Sequence, residues 1–152
     1  MNNMLKERTV DKFYRTIVCG KVDKSYSLKG FLYKDEKRNK VYIKEEDPHD
    51  DNYSYIETEF IPVKYSESND MTMLEVKLVT GKPHQIRAHL SSVGTPILGD
   101  VKYGGKPFKG INYQLLHSYR LVFPMEMEAD FSALSGKEFI ALLPDIYNSI
   151  IH

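Results

Sequence analysis

The period of the apolar residues changes within a few positions of Gly81, and this constrains the fold of the 152-residue chain more than any other feature. Before the change, Leu74, Val76 and Leu78 alternate with Glu75 and Lys77, the pattern of a half-buried strand. After it, Ile86, Leu90 and Val93 fall at i, i+4 and i+7, the stripe of an amphipathic helix. Pro83 suits a first helical turn, where its missing N–H would have been unpaired anyway. Gly94 suits the position just past the helix, where a left-handed residue is wanted. The spacing therefore predicts a strand, a tight turn and a helix whose opposite face carries His84, Arg87, Ala88 and Ser91.

The rest of the chain is mostly extended in pattern. A short helical start up to about Arg8 precedes residues 9–20, a run rich in β-branched and aromatic side chains that stops at Gly20 and reads as a strand. Alternation puts Lys12, Tyr14 and Thr16 on one face of it and Phe13, Ile17 and Cys19 on the other. Further strands are expected near residues 31–33, 40–44, 55–63, 73–80, 115–123 and 139–143, with a closing helix over 145–152 that turns Ile146 and Ile150 inward. Strands with few intervening helices predict an α+β domain built on a mainly antiparallel sheet. A chain of this length can bury roughly two-thirds of its extended surface, so residues 1–152 are expected to form one domain without staples. Cys19, the single cysteine, allows neither a disulfide framework nor a thiolate metal cluster and reads as a small core residue.

Lys and Arg total 21, as do Asp and Glu, so the formal net charge is zero. The charge is nevertheless segregated. Residues 1–44 carry a net +7, 45–75 a net −9, 76–120 a net +6 and 121–152 a net −4. Two basic segments flanking an acidic one can fold into a positive face that whole-chain charge hides; the plainer alternative is that each block is a solvated surface. His49 lies among carboxylates in the acidic run 45–51, which reads as a solvated loop rather than a metal site. The sequence has no apolar run near the ~18 residues that cross a bilayer and no apolar leader at its start. A cytoplasmic location is expected.

The densest chemistry lies in residues 78–90, Leu-Val-Thr-Gly-Lys-Pro-His-Gln-Ile-Arg-Ala-His-Leu. A guanidinium on the first turns of a helix that leaves a strand end can be held rigidly and offers a planar fork for a carboxylate or phosphate. Spacing alone names no reaction. The glycine-rich stretch 104–110 lacks the Gly-Lys-Ser/Thr ending of a P-loop and reads as a loop.

Residues 80–89, Thr-Gly-Lys-Pro-His-Gln-Ile-Arg-Ala-His, resemble the T-G-R-x-H-Q-I-R-x-H signature of the RluA-type RNA pseudouridine synthases. The likeness continues through Gly94-Thr95-Pro96-Ile97-Leu98-Gly99-Asp100 with Tyr103-Gly104, and through Leu115-Leu116-His117-Ser118 with Leu121 and Phe123. Upstream it includes Lys12-Phe13-Tyr14 with Gly20, and Thr58 with Phe60. It covers roughly residues 9 to 145.

The resemblance implies the C-terminal part of the pseudouridine synthase fold. It also implies RNA, ribosomal RNA above all, as the partner, and no metal or organic cofactor. In that family an aspartate attacks the target uridine, whose base is detached, turned and rejoined through carbon. By resemblance Arg87 pairs with that aspartate, and Tyr14 packs against the uracil near the proton lost from carbon five. Lys82 stands where arginine is commoner, keeping the charge without the fork. His84, Gln85 and His89 are candidates for RNA contact or for fixing the turn at 80–83, while His117 and Asp100 read as structural.

The family carries its nucleophile in an R-L-D motif upstream of the Lys-x-Tyr strand, and none of the aspartates here fits it. Asp11 lies in that strand, Asp47, Asp50 and Asp51 in the acidic loop, and Asp100 in a later motif. The expectation is a fragment that lacks the N-terminal half of a catalytic domain and does not isomerise uridine alone. A non-catalytic RNA-binding module of the same fold is the alternative. The unpaired sheet edge of a half-domain could also self-associate.

Overall fold

The computed structural model describes residues 10–123 and 136–152. The expected helical start before Arg8 lies outside them. Seven strands form one antiparallel sheet: β1 (Asp11–Cys19), β2 (Tyr26–Asp35), β3 (Lys40–Lys44), β4 (Ser54–Ser66), β5 (Met71–Leu78), β6 (Leu116–Val122) and β7 (Glu138–Ile140). Their order is β3-β2-β4-β5-β1-β6-β7. Helix α1 (Gln85–Ser92) follows β5, a single 3-10 turn spans Val101–Tyr103, and α2 (Asp145–Ile150) closes the chain. The α+β reading with a mainly antiparallel sheet stands. Among the described residues no helix is long and apolar enough to cross a membrane.

β1 and β5 hold the centre, pairing Tyr14 with Val76 and Thr16 with Leu74. Both faces of this centre are covered, and Ile17, Val18, Leu74 and Val76 are fully buried. The helix expected after Gly81 is present, but it begins later than Pro83 suggested. Pro83 lies in the preceding turn, and His84 is the N-cap with a left-handed backbone, φ 59°. A non-glycine residue adopts that conformation only when its surroundings hold it.

Ile86 and Leu90 bury into the main core beside Phe60 and Leu78. Ala88, read from the sequence as part of the polar face, instead packs with Leu32, Val41, Ile56 and Tyr103 in a second cluster. Val93 is not the third member of the stripe: it sits at the C-cap, 46% exposed. The helix ends one residue before it, and Gly94 follows with φ +80° as expected. In α2 the buried pair is Tyr147 and Ile150, while Ile146 is exposed. Cys19 is half-buried at the margin of the main core, and burial raises its thiol pKa.

Candidate active site

A cleft of about 420 Å3 opens where the ends of β1 and β5 meet the N-terminus of α1 and the segment leading into β6. Lys12 and Tyr14 enter it from β1, Lys82, His84 and Arg87 from the turn and helix, and Gln114 from the approach to β6. Alternation along β1 puts Lys12 and Tyr14 on one face, and the antiparallel register with β5 sets that face beside Leu78. Gly81 keeps the turn narrow: a Cβ there would press on Lys12 Nζ. None of the lining residues carries a carboxylate, so Lys12, Lys82 and Arg87 give the cleft a positive character. The segregated charge of the sequence thus gathers two basic segments into one place.

Arg87 is held from behind. Its Nε donates to Asp100 Oδ2 at 2.9 Å and its Nη2 to Asp100 Oδ1 at 2.8 Å, and its guanidinium carbon stands 4.9 Å from the centre of the Tyr103 ring. The carboxylate of Asp100 is almost wholly buried. The hydrogen bonds that Arg87 donates to Asp100 raise its pKa, against the opposing effect of burial. A guanidinium has five N–H donors, and among the described residues Nη1 makes no hydrogen bond. Asp100, read from the sequence as structural, anchors one of the three basic side chains of the cleft. Sequence spacing gave no sign of this, because the two residues are joined by a loop whose path the pattern does not specify.

His84 is positioned by the same loop. The Tyr103 hydroxyl accepts the Val41 backbone N–H at 2.9 Å and lies 2.8 Å from His84 Nδ1. This hydrogen bond fixes the orientation of the imidazole ring. Burial, followed by the charge of Arg87, lowers the His84 pKa. Both effects favour the neutral form of the ring in the cleft.

Gln85 and His89 have a different place. Gln85 is buried, and its Oε1 accepts the Thr80 hydroxyl at 2.8 Å and the Lys82 N–H at 3.1 Å. Its Nε2 donates to the Glu57 carbonyl at 3.0 Å and to Thr58 Oγ1 at 2.9 Å. Every polar capacity of this side chain is spent on holding the turn, so its contribution to the cleft is its shape. His89 lies 1% exposed and does not line the cleft. Thr58 Oγ1, which accepts from Gln85, shares a hydrogen bond with His89 Nδ1, 2.8 Å away. His89 Nε2 is left buried without a partner among the described residues, and burial lowers its pKa to about 4. The structure thus brings Arg87, Tyr14, Lys82 and His84 together, with Gln85 as the clamp beneath them, and leaves His89 in the core. His117 is also outside the cleft, against the Tyr147 ring. Among the described residues no three His, Cys, Asp or Glu side chains gather to hold a metal ion.

Comparison with known proteins places this geometry in a family. The family model described as RNA pseudouridylate synthase matches residues 1–92. An uncharacterized RNA pseudouridine synthase of Mycoplasma genitalium is 30% identical over 140 residues, covering 90% of this chain and 43% of that protein. The ribosomal large subunit pseudouridine synthase C of Rickettsia bellii is 26% identical over 151 residues, covering 99% and 48%. An uncharacterized RNA pseudouridine synthase of Aquifex aeolicus is 35% identical over 103 residues, covering 66% and 31%. The chain thus spans between about a third and a half of the length of these relatives. Among solved structures, the human RNA pseudouridylate synthase domain containing 4 superposes with a TM-score of 0.70 at 20% identity, covering 97% of this chain and 63% of that one. The fold is therefore shared as well. With the family model matching well over half of its residues, the chain belongs to the RNA pseudouridylate synthase family.

Proposed function

We propose that this chain supplies the arginine and tyrosine side of a pseudouridine synthase active site, acting on uridine in RNA, and that residues 1–152 are the C-terminal part of its catalytic domain. The observation that carries the reading is the shared cleft: Tyr14 and Arg87 both line it, and Arg87 enters it already fixed by Asp100. A guanidinium anchored along its Nε–Nη2 edge keeps Nη1 for a second carboxylate, the nucleophilic aspartate of the family, supplied by polypeptide upstream of β1. Paired in this way the aspartate stays ionised and aimed, as a nucleophile must be.

Tyr14 presents an aromatic face on which an extruded uracil can stack. Lys12 and Lys82 meet the flanking phosphates, and His84 offers its ring to hydrogen bonding with the RNA. Ribosomal RNA is the favoured substrate, since two relatives from Rickettsia are named ribosomal large subunit pseudouridine synthase C. A cytoplasmic location follows from the same reading.

The test is tritium release from RNA labelled at carbon five of uridine. The chain alone is expected to release none. Mixed with the N-terminal half of the Mycoplasma genitalium relative, it is expected to release tritium, and Arg87→Ala is expected to abolish that release. Turnover by the chain alone would refute the reading.

A further inference from the structure

The sheet has a second surface that the cleft does not use. On β2, β3 and β4 the inward residues Leu32, Val41 and Ile56 are buried, and the alternate positions point away from α1. In that outward layer Tyr33 stands opposite Tyr42, and Phe31 opposite both Lys44 and Tyr55. The Tyr53 ring lies 5.5 Å from Tyr33, and the Tyr55 ring 5.7 Å from Phe31. Tyr33, Tyr42 and Tyr55 are 38%, 39% and 47% exposed.

Lysines are interleaved with these rings. Lys44 Nζ lies 5.2 Å from the Tyr53 ring centre, and Lys40 Nζ, at the margin of the face, 5.9 Å from that of Tyr42 and 5.3 Å from that of Tyr103. Among the described residues neither ammonium has a carboxylate within ion-pair distance. Carboxylates border the patch: Asp35 pairs with Arg38, Glu57 accepts the Tyr55 hydroxyl and keeps its charge, and Glu45, Glu46, Asp47, Asp50 and Asp51 form the acidic loop between Lys44 and Tyr53.

We propose that this outward face is a second RNA-binding surface, a stacking platform for single-stranded RNA flanking the segment held in the cleft. Aromatic rings on an open sheet stack bases of any sequence, and ammonium groups between them meet the phosphates. Lysine is depleted where proteins bury a surface against one another, so the interleaved cations favour a polyanion over a protein. The β2–β3 hairpin joins the two sites: Lys34, on its opposite side, acts electrostatically on His84 at the cleft. A strand leaving the cleft can pass over the hairpin onto the rings. The role of this face beside the cleft rests on the proposed catalytic reading, whereas binding to the rings is measured on the face itself.

The test is titration of a fluorescein-labelled short oligouridylate into the chain at low salt, read by anisotropy. Tyrosine fluorescence is a second readout, since the sequence has no tryptophan. Tyr33→Ala/Tyr42→Ala is expected to weaken binding about ten-fold or more. Lys40→Ala/Lys44→Ala is expected to make the salt dependence shallower by roughly one to two units, and Glu45→Gln/Glu46→Gln to tighten binding. Should the double alanine variant fail to fold, Tyr42→Leu, which keeps apolar bulk without a ring, reads the same loss. Absence of binding would overturn the proposal, as would binding lost on Lys82→Ala in the cleft but untouched by the face variants. A change of oligomeric state in the face variants with RNA affinity intact would also overturn it, by assigning the face to a second copy of the chain.

Discussion

Arg87 and Asp100 form a two-pronged ion pair in which the carboxylate is almost wholly buried and the guanidinium borders the cleft. The pair links helix α1 to the loop before the 3-10 turn, and the Tyr103 ring packs over the guanidinium. The Nε–Nη2 edge of the guanidinium joins two parts of the fold, and among the described residues Nη1 makes no hydrogen bond.

Removing only one partner should expose the structural half of that arrangement. Arg87→Ala leaves a buried carboxylate without its cation, a change that typically costs about 3–5 kcal/mol. Urea unfolding of the isolated chain should report a loss of that order, with no RNA present. Arg87→Met/Asp100→Leu removes both charges and should recover most of it. Equal losses in the single and double variants would show that the pair contributes through packing instead.

Gln85 should be equally intolerant, for a neutral reason. Gln85→Leu strands the Lys82 N–H and leaves the Thr80 hydroxyl only its long contact to the Glu57 carbonyl, 3.4 Å, while that carbonyl keeps the Val79 and Thr80 N–H groups. Each buried polar group left unpaired costs about 1–3 kcal/mol. The expected outcome is a marked loss of stability together with faster hydrogen exchange at the Lys82 amide. Unchanged exchange there would mean that the turn is held by other contacts.

The strand-to-helix unit was legible in the sequence because its two halves have different apolar periods, and Gly81 and Gly94 punctuate it. Lys12 and Tyr14 could be placed on one face by alternation alone. The helix start was misplaced because His84 takes a left-handed conformation held by Tyr103, and no local propensity encodes a contact across the following loop. Val93 and Ile146 failed as core residues because both helices are short, and one residue more or less at an end decides which side chain faces inward. The burial of His89 was within reach: it is three residues on from Ile86 and next to Leu90, on the buried side of α1. The Arg87–Asp100 pair was not, since it depends on where the loop through Gly99 travels.

That loop supplies a prediction of its own. Gly99 has φ +82°, and a Cβ there would overlap the Tyr113 carbonyl and crowd the Ile111 side chain. Gly99→Ala combines a left-handed backbone with a clash against main chain, so neither strain can relax cheaply. It should destabilise the chain more than Gly94→Ala, where φ is also positive but nothing lies within reach of the added methyl. Thermal unfolding of the two variants side by side checks this, and equal shifts would show that the loop can move away from residue 99.

The buried imidazole of His89 should make stability depend on pH. Its pKa in the fold is about 4 because burial disfavours the charged form, against an ordinary histidine value near 6.5 in the unfolded chain. Between those values the unfolded state binds the extra proton, so stability rises with pH across that window. The contribution is complete above about 6.5 and is lost progressively as pH falls toward 4. A change of one pKa unit corresponds to about 1.4 kcal/mol, so a loss of roughly 2 kcal/mol is expected on going from about pH 7 to pH 5. His84 shifts in the same direction and other groups titrate nearby, so the comparison must be with His89→Gln, which keeps a hydrogen-bond partner for Thr58 but carries no titrating group. Urea unfolding across the window should give a shallower pH dependence for His89→Gln than for the wild type. Identical slopes would mean that the His89 ring reaches water or a partner when protonated, and that its burial does not govern its charge.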